Sequence, residues 1–445
     1  MSPRSLLPAL AVTLAALAAP APSDARRLTL PAPSPGDLVV AGALADQAPA
    51  VDADRQPVAV AWPLAAGSAL GTAVAPFVAE SREHWFRVTA AELEAGVEPA
   101  IASRGALLRL SPLAAEPGAA PPSPPAIDQI VVVDGAGTRH RGGAAVAALA
   151  DAEALAAAGV ELPEGSVALR LRAELGGGPF RLQVEGAAAS GASGYLVHVF
   201  EPESDVVLSF GADRSTYPAG ESGELTLDLD AGGRQLAPDQ IVGFVSSPEG
   251  RIEALQFAPG PDGRARASFA LPFGADGRAG LWQAEVAVVT FGEAAAGPEG
   301  GPETGRRRNR PRGKPRVHRR TARTAFAVAL PTARLGGELE VAAGVAAGGL
   351  AIGVPIEVAS AGRYAVRGIV AERRIDGTRI AVARAESAAW LEPGVGELRL
   401  ELGADVLSGA AAGAALELVE LELVDPGRLG LLERRALELS LDVEP

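Results

Sequence analysis

The chain has 445 residues, no cysteine and a formal charge of −14, from 40 basic against 54 acidic side chains. The missing cysteines exclude disulfides, thiolate metal sites, cysteine nucleophiles and the lipidated N-terminal cysteine of a bacterial lipoprotein. The charge is uneven, because residues 292 to 323 carry ten basic and three acidic side chains, or +7, and the rest therefore carries −21; an acidic body with one basic segment is not a general polyanion binder.

Residues 1–25 read as a signal peptide. Arg4 supplies the positive start, Leu6 to Ala19 form a short apolar run, and small residues offer cleavage between Ala19 and Arg26. The expectation is export to the periplasm or the extracellular space, with no transmembrane segment in the mature chain. Without disulfides, an exported chain is held by its cores alone. The 48% of hydrophobic residues is enough for several of them, in about two to four domains. Only one of the basic residues, Lys314, is lysine, the mark of a GC-rich genome; arginine richness is therefore weaker evidence of function here.

Residues 26–202 read as a mixed, mainly β N-terminal domain. Pro57 to Trp62 and Ala106 to Leu110 have strand character, and Thr89-Ala-Ala-Glu92 is a capping box opening a short helix. The proline-rich stretch 117–125 is a stiff loop or linker. Beyond it come a strand at Ile130 to Val133, a helix from Ala144 to Ala158 closed by Gly159, and strands at Val167 to Leu171, Phe180 to Val184 and Tyr195 to Phe200.

Residues 203–333 have the pattern of an immunoglobulin-like antiparallel sandwich. Short runs at Val206 to Phe210, Gly223 to Leu229, Ile241 to Val245, Ala265 to Phe269, Trp282 to Thr290 and Thr324 to Ala329 lie between Pro-Ala-Gly, Ser-Pro-Glu-Gly and Pro-Asp-Gly turns. Trp282 reads as a core anchor rather than a ligand platform. Residues 292–321 interrupt the last hairpin with a disordered Arg-rich insertion. Residues 334–445 continue as a second sandwich-like domain, in which Glu417-Leu-Val-Glu-Leu-Glu-Leu423 is a clear period-two run. The fold class is thus mainly β, with tandem sandwiches after a mixed, mainly β N-terminal domain.

Several phrases carry a resemblance: Glu80-Ser-Arg-Glu-His-Trp85, Ala90-Ala-Glu-Leu-Glu-Ala-Gly96, Gly105-Ala-Leu-Leu-Arg-Leu-Ser-Pro112, Tyr195-Leu-Val-His-Val199 and Thr324-Ala-Phe-Ala-Val-Ala-Leu-Pro331. In these the chain resembles exported bacterial proteins of the domain-of-unknown-function family numbered 4785. The resemblance implies an N-terminal domain followed by immunoglobulin-like domains over nearly the whole mature chain. It implies no activity and no site residues.

No catalytic constellation emerges from the residues. His84, His140, His198 and His318 are scattered, with no spacing that puts two imidazoles on one helical face, and there is no Gly-x-Ser-x-Gly elbow. Gly176-Gly-Gly178 lacks the lysine of a phosphate loop. His84 is the most chemically dense position, between Glu83 and Trp85. Glu201, Glu203 and Asp205, or Asp228 and Asp230, could share a calcium ion; the plainer role is to keep linkers and strand ends solvated. No catalytic, metal or cofactor residue is therefore assigned, and no cofactor is expected. The anion-binding candidates are Arg306, Arg307, Arg308, Arg310, Arg312, Lys314, Arg316, Arg319 and Arg320, for contact with an anionic surface; without interleaved aromatics, nucleic acid is not the expected partner. The leading expectation is a non-enzymatic exported envelope protein, a binding or structural module for another protein or a surface polymer. Two alternatives stand: an enzyme or enzyme accessory with its site in the N-terminal domain, and a macroglobulin-related protease-interacting protein.

Overall fold

Alternation of apolar and polar residues governs most of the chain, and the structure, a computed structural model, is accordingly built of antiparallel sheets. It describes residues 25–40, 42–47, 54–71, 75–114, 122–272, 279–292, 316–344, 347–411, 413–428 and 430–441. The chain divides into two compact units, Ala73–Leu330 on the one hand and Met1–Thr72 with Pro331–Pro445 on the other.

Within Ala73–Leu330, two layers come from the N-terminal residues. A 5-stranded sheet runs in the order Glu83–Thr89, Ala192–Phe200, Leu107–Ala114, Val167–Leu171, Val146–Asp151, and a 3-stranded sheet in the order Arg181–Val184, Ile130–Val133, Arg139–Arg141. Leu93, Leu108, Leu110, Ile130, Leu169, Leu182, Tyr195 and Val197 are the centre of their shared core. Thr89 caps the short helix Ala90–Ala95 as the sequence predicts, with Glu92 N donating to Thr89 Oγ1 at 3.1 Å and Thr89 N to Glu92 Oε2 at 2.8 Å. The expected long helix over 144–158 is instead a strand, Val146–Asp151, running into a helix of one and a half turns, Ala152–Ala157. Pairing with Val167–Leu171 buries Val146, and this tertiary gain overrides alanine's preference for helix.

The sandwich in the same unit has two sheets. One follows the order Ala258–Pro259, Ala265–Ala270, Ser222–Ala231, Val206–Ala212, Val78–Ser81; the other Thr216–Pro218, Arg316–Ala329, Gly280–Gly292, Gln240–Ser246, Ile252–Leu255. All pairs are antiparallel except Thr216–Pro218, which lies parallel to Ala327–Ala329. Trp282 is buried, as a core anchor should be. Tyr217, Phe269 and Phe326 pack with centroid separations of 4.9 to 5.5 Å. Gly223 is obligatory there, because a Cβ at that position would collide with the rings of Phe269 and Tyr217. Tyr217 ties the cluster to the rim by donating to Asp213 Oδ1 at 2.6 Å.

The second unit corrects the expected domain boundaries. Residues 26–72 do not belong to the N-terminal layers: Arg26–Thr29 pairs with Glu338–Ala343, and Val58–Pro63 pairs with Arg379–Leu391. Two 5-stranded sheets result, one including Leu350–Val358 and Gly394–Leu402, the other Gly362–Arg373, Ala415–Asp425 and Gly430–Ser440. This placement explains why the charged side of the period-two run is not solvated. Glu417, Glu420 and Glu422 are buried, with Leu64 and Leu70 packed on neighbouring Val419, and Leu38 bridged to Arg434. Each charge has to be matched: Glu417 meets Arg379 at 2.7 Å and Arg373 at 3.1 Å, and Glu422 meets Arg434 at 2.8 Å.

Residues 26–72 therefore complete the C-terminal sandwich. Residues 331–445 produced alone are expected to show no cooperative thermal transition, or one about 10 °C lower than with residues 26–72 supplied, because a loss of ~2 kcal/mol shifts a domain of this size by several degrees. Circular dichroism melts check this; an unchanged transition for 331–445 alone would show that the segment is dispensable.

Candidate functional site

One stretch of backbone belongs to two sheets. Val78–Ser81 pairs with Val206–Ala212 at the edge of the sandwich, and after Arg82 the chain re-enters as Glu83–Thr89, paired with Ala192–Phe200 in the N-terminal sheet. The Glu80 to Trp85 phrase is this strand switch. Side chains pin it to the opposite sandwich strand: Ser81 Oγ donates to the Thr321 carbonyl at 2.6 Å and accepts from Glu83 N at 3.1 Å, and Thr324 Oγ1 donates to the Phe77 carbonyl at 3.2 Å.

Beside the switch lies a buried ion pair. Arg320, 1% exposed, donates from Nη1 to Oε2 of Glu201, 0% exposed, at 2.8 Å. The other Glu201 oxygen accepts the amides of Ala102 and Ser103, both at 2.6 Å. Arg320 also donates to Ser204 Oγ at 2.7 Å, the Val206 carbonyl at 3.0 Å and the Arg319 carbonyl at 2.6 Å. Burial draws the guanidinium below its usual value and Glu201 opposes that. The Gly176-Gly-Gly178 stretch finds its purpose here: a side chain on Gly177 would strike the Ala102 carbonyl, and one on Gly178 the Ile101 carbonyl. These glycines let backbone press on the loop that presents the two amides.

Strand alternation sorts the phrase into two faces. His84 points into the core, its Nε2 donating to the Pro99 carbonyl at 2.8 Å, while its Nδ1 is buried without a partner. Desolvation, helped by the charge of Arg320, holds its pKa down at about 4, so the imidazole is neutral. On the other face Trp85, His198 and Arg109 stand opposite one another across three strands. They line a cleft of about 420 Å³ together with Glu80, Ser81, Glu83 and Arg323. His198 Nε2 is 2.8 Å from Glu83 Oε2. This hydrogen bond, followed by the charges of His198, Arg109 and Arg323, holds the Glu83 carboxyl below its usual value. The Arg323 guanidinium covers the Trp85 ring at 4.6 Å and also meets Glu285 at 2.6 Å. Arg109 Nε is buried and has no hydrogen-bond partner.

With this geometry established, two sequence models of a domain of unknown function match: that of the DUF4785 N-terminal domain over residues 49–201, and that of the DUF4785 C-terminal domain over residues 332–442. The chain belongs to the DUF4785 family. A crystal structure of a DUF4785 family protein from Legionella pneumophila is similar over 93% of this chain and 99% of that chain, with a TM-score of 0.64 and 19% identity. That level of identity carries the fold alone. No curated protein matches the chain.

In this DUF4785 chain the remaining sequence candidates are dispersed. His140 pairs with Asp134 at 3.0 Å, away from the cleft. Glu201 is satisfied by protein donors, and Glu203 lies 3.6 Å from Arg104; among the described residues no three carboxylate or imidazole groups gather to hold a metal. Of the anion-binding candidates, Arg306, Arg307, Arg308, Arg310, Arg312 and Lys314 lie outside the described residues. Arg316 already belongs to the strand Arg316–Ala329, Arg319 is exposed on it, and Arg320 is the buried partner of Glu201. Arg320 is thus corrected from an anion-binding candidate to a structural cation, because period-two alternation turns it inward where Arg319 turns out. Sequence reasoning missed Arg109 and Arg323. Each follows an alternating strand pattern, and only the strand pairing brings them to Trp85.

The buried imidazole gives a signed pH dependence. His84 titrates near 6.5 unfolded and at about 4 folded, so the unfolded chain binds the extra proton between those values. Stability is full above pH 6.5 and falls by up to ~1.4 kcal/mol per pH unit on the way down to 4, about 3 kcal/mol in all. His84→Gln keeps a donor for Pro99 and is expected to remove that slope. Urea unfolding from pH 7 to 4 checks it, and parallel profiles for the two proteins would contradict a buried neutral imidazole.

Proposed function

We propose that the protein is an exported component of the bacterial cell envelope that binds another protein or a surface polymer and catalyses no reaction on it. The observation that carries this reading is how the cleft spends its reactive groups. Glu83 and His198 are committed to each other, and the hydroxyls lining the cleft are held by backbone: Ser81 Oγ lies between the Thr321 carbonyl and the Glu83 amide, and Thr321 Oγ1 donates to the Glu83 carbonyl at 3.4 Å. Among the described residues no nucleophile is hydrogen-bonded to the imidazole in the manner that acyl or phosphoryl transfer requires. What the cleft offers a partner is a row of contact groups on a sheet face, with Trp85 as the aromatic anchor and Arg109 as a cation whose Nε has no hydrogen-bond partner. The signal peptide read at residues 1–25 supports the compartment. The Arg306 to Lys314 cations add a salt-sensitive contact with an anionic surface to this reading.

The enzyme alternative draws on one observation, that an acid–base pair, Glu83 and His198, does line a cleft. One experiment separates the two. Immobilised mature protein, Trp85→Ala, Arg109→Glu and a form lacking residues 293–315 are each exposed to envelope extract at low and high salt, beside a panel of hydrolase substrates. The binding reading expects one partner retained by wild type and reduced at least tenfold by Arg109→Glu, with no turnover. Turnover abolished by His198→Ala would overturn it in favour of catalysis.

A further inference from the structure

A second cavity, which shares no lining residue with the Trp85 cleft, has a different chemistry. It measures about 460 Å³ and is bounded by Glu98, Ala100, Ile101, Val133 to Gly135, Gly137, Gly178 to Arg181, Val317 and Arg319. That volume lies in the range of small-molecule sites. Its walls are held by backbone contacts: Gly178 N donates to the Ile101 carbonyl at 3.0 Å, and Val97 and Leu182 exchange hydrogen bonds at 2.9 and 2.8 Å. Ala100 on the wall is the one non-glycine among the described residues with a positive φ, +50°. Such a conformation costs about 1 kcal/mol or more and persists where the surroundings enforce it.

The lining is apolar in its depth and charged at its rim. Ile101 and Phe180 are buried core residues, with Val133, Pro179 and Val317 beside them. Both rim carboxylates have partners. Asp134 is held by His140 at 3.0 Å and by the amides of Ala136 and Thr138 at 2.9 and 3.0 Å, and Glu98 lies 4.0 Å from Arg181. Arg319 is exposed, and its side chain has no ion-pair partner among the described residues. Arg319 is therefore the one charged group of the lining without an ion-pair or hydrogen-bond partner for its side chain among the described residues.

We propose that this cavity binds a small amphiphile with one anionic head, of the class of a medium-chain fatty carboxylate, its chain against Ile101, Val133 and Phe180 and its head at Arg319. One cation suits one carboxylate; a nucleotide or a polyphosphate would need several. The site is independent of the envelope-binding reading, because it uses none of the Trp85 cleft.

The test is displacement of the fluorescent anion 1-anilinonaphthalene-8-sulfonate from the full-length mature protein by decanoate. Saturable displacement is expected for wild type and for Trp85→Ala. Arg319→Gln, on an exposed position, is expected to weaken decanoate at least tenfold, and Val317→Trp, which fills the cavity, to abolish displacement with the circular dichroism spectrum unchanged. Failure of decanoate to displace from wild type, or equal affinity in wild type and Arg319→Gln, would overturn the proposal. Loss with Trp85→Ala but not with Arg319→Gln would also overturn it, by moving the amphiphile to the other cleft.

Discussion

A charge taken out of water has to be met in full, and in this protein that rule ties the N-terminal layers to the central sandwich. Arg320 comes from the sandwich strand and Glu201 from the end of the N-terminal sheet, and neither has access to solvent. Several choices of sequence follow from that pair. Ser204 supplies a hydroxyl, Ala102 and Ser103 supply amides, and the glycines at 177 and 178 let the amide-bearing loop be pressed into place. His84 loses proton affinity first to burial and then to the charge of the nearby guanidinium. A buried pair of this kind is not in itself a large gain in stability, since desolvation consumes most of the attraction. What it confers is geometry, because any other placement of the two sheets leaves a bare charge.

That fixed geometry shapes the Trp85 cleft and the Phe180 cavity of Ala73–Leu330. The strand switch at Arg82 sends Glu83, Trp85 and Arg87 to the outer face and His84 to the core. Because strand Arg316–Ala329 is anchored by Arg320, it brings Arg323 over Trp85 on one side and carries Val317 and Arg319 to the rim of the apolar cavity. The two sites are then consequences of one strand whose residues alternate between structural and exposed roles. The same chemistry appears in the other unit, where carboxylates of Ala415–Asp425 are buried and Glu417 and Glu422 each meet an arginine from a neighbouring strand.

Much of this was legible in the sequence, and the failures have common causes. The longer strands after residue 100 fall where the sequence pattern puts them, while short ones such as Arg139–Arg141, Ile252–Leu255 and Glu338–Ala343 carry too little pattern to be read; the Thr89 capping box and the Trp282 anchor are local signals that need no partner. Residues 26–72 read with the N-terminal domain in sequence because strand order is non-local: nothing in Val58–Pro63 names Arg379–Leu391 as its partner. The helix expected over 144–158 rested on alanine, whose weak preference yields to pairing. Arg320 was grouped with the arginines before it because composition does not distinguish the inward from the outward residue until the strand's start is known. The cleft was half legible. The dense phrase at Glu80 to Trp85 marked the place, but His198, Arg109 and Arg323 join it only through cross-strand register.

The central claim, that Glu201 and Arg320 lock two sets of sheets into one unit, is tested most directly by a double-mutant cycle on the full chain. Glu201→Gln, Arg320→Met and the double variant are unfolded in urea, with Trp85 and Trp282 as reporters within Ala73–Leu330. The account predicts that each single change costs about 3 kcal/mol or more, that the double variant costs clearly less than their sum, and that signals from both sides of the junction shift together. Single changes that cost under ~1 kcal/mol and add independently, or two separate transitions in the wild-type unit, would contradict it.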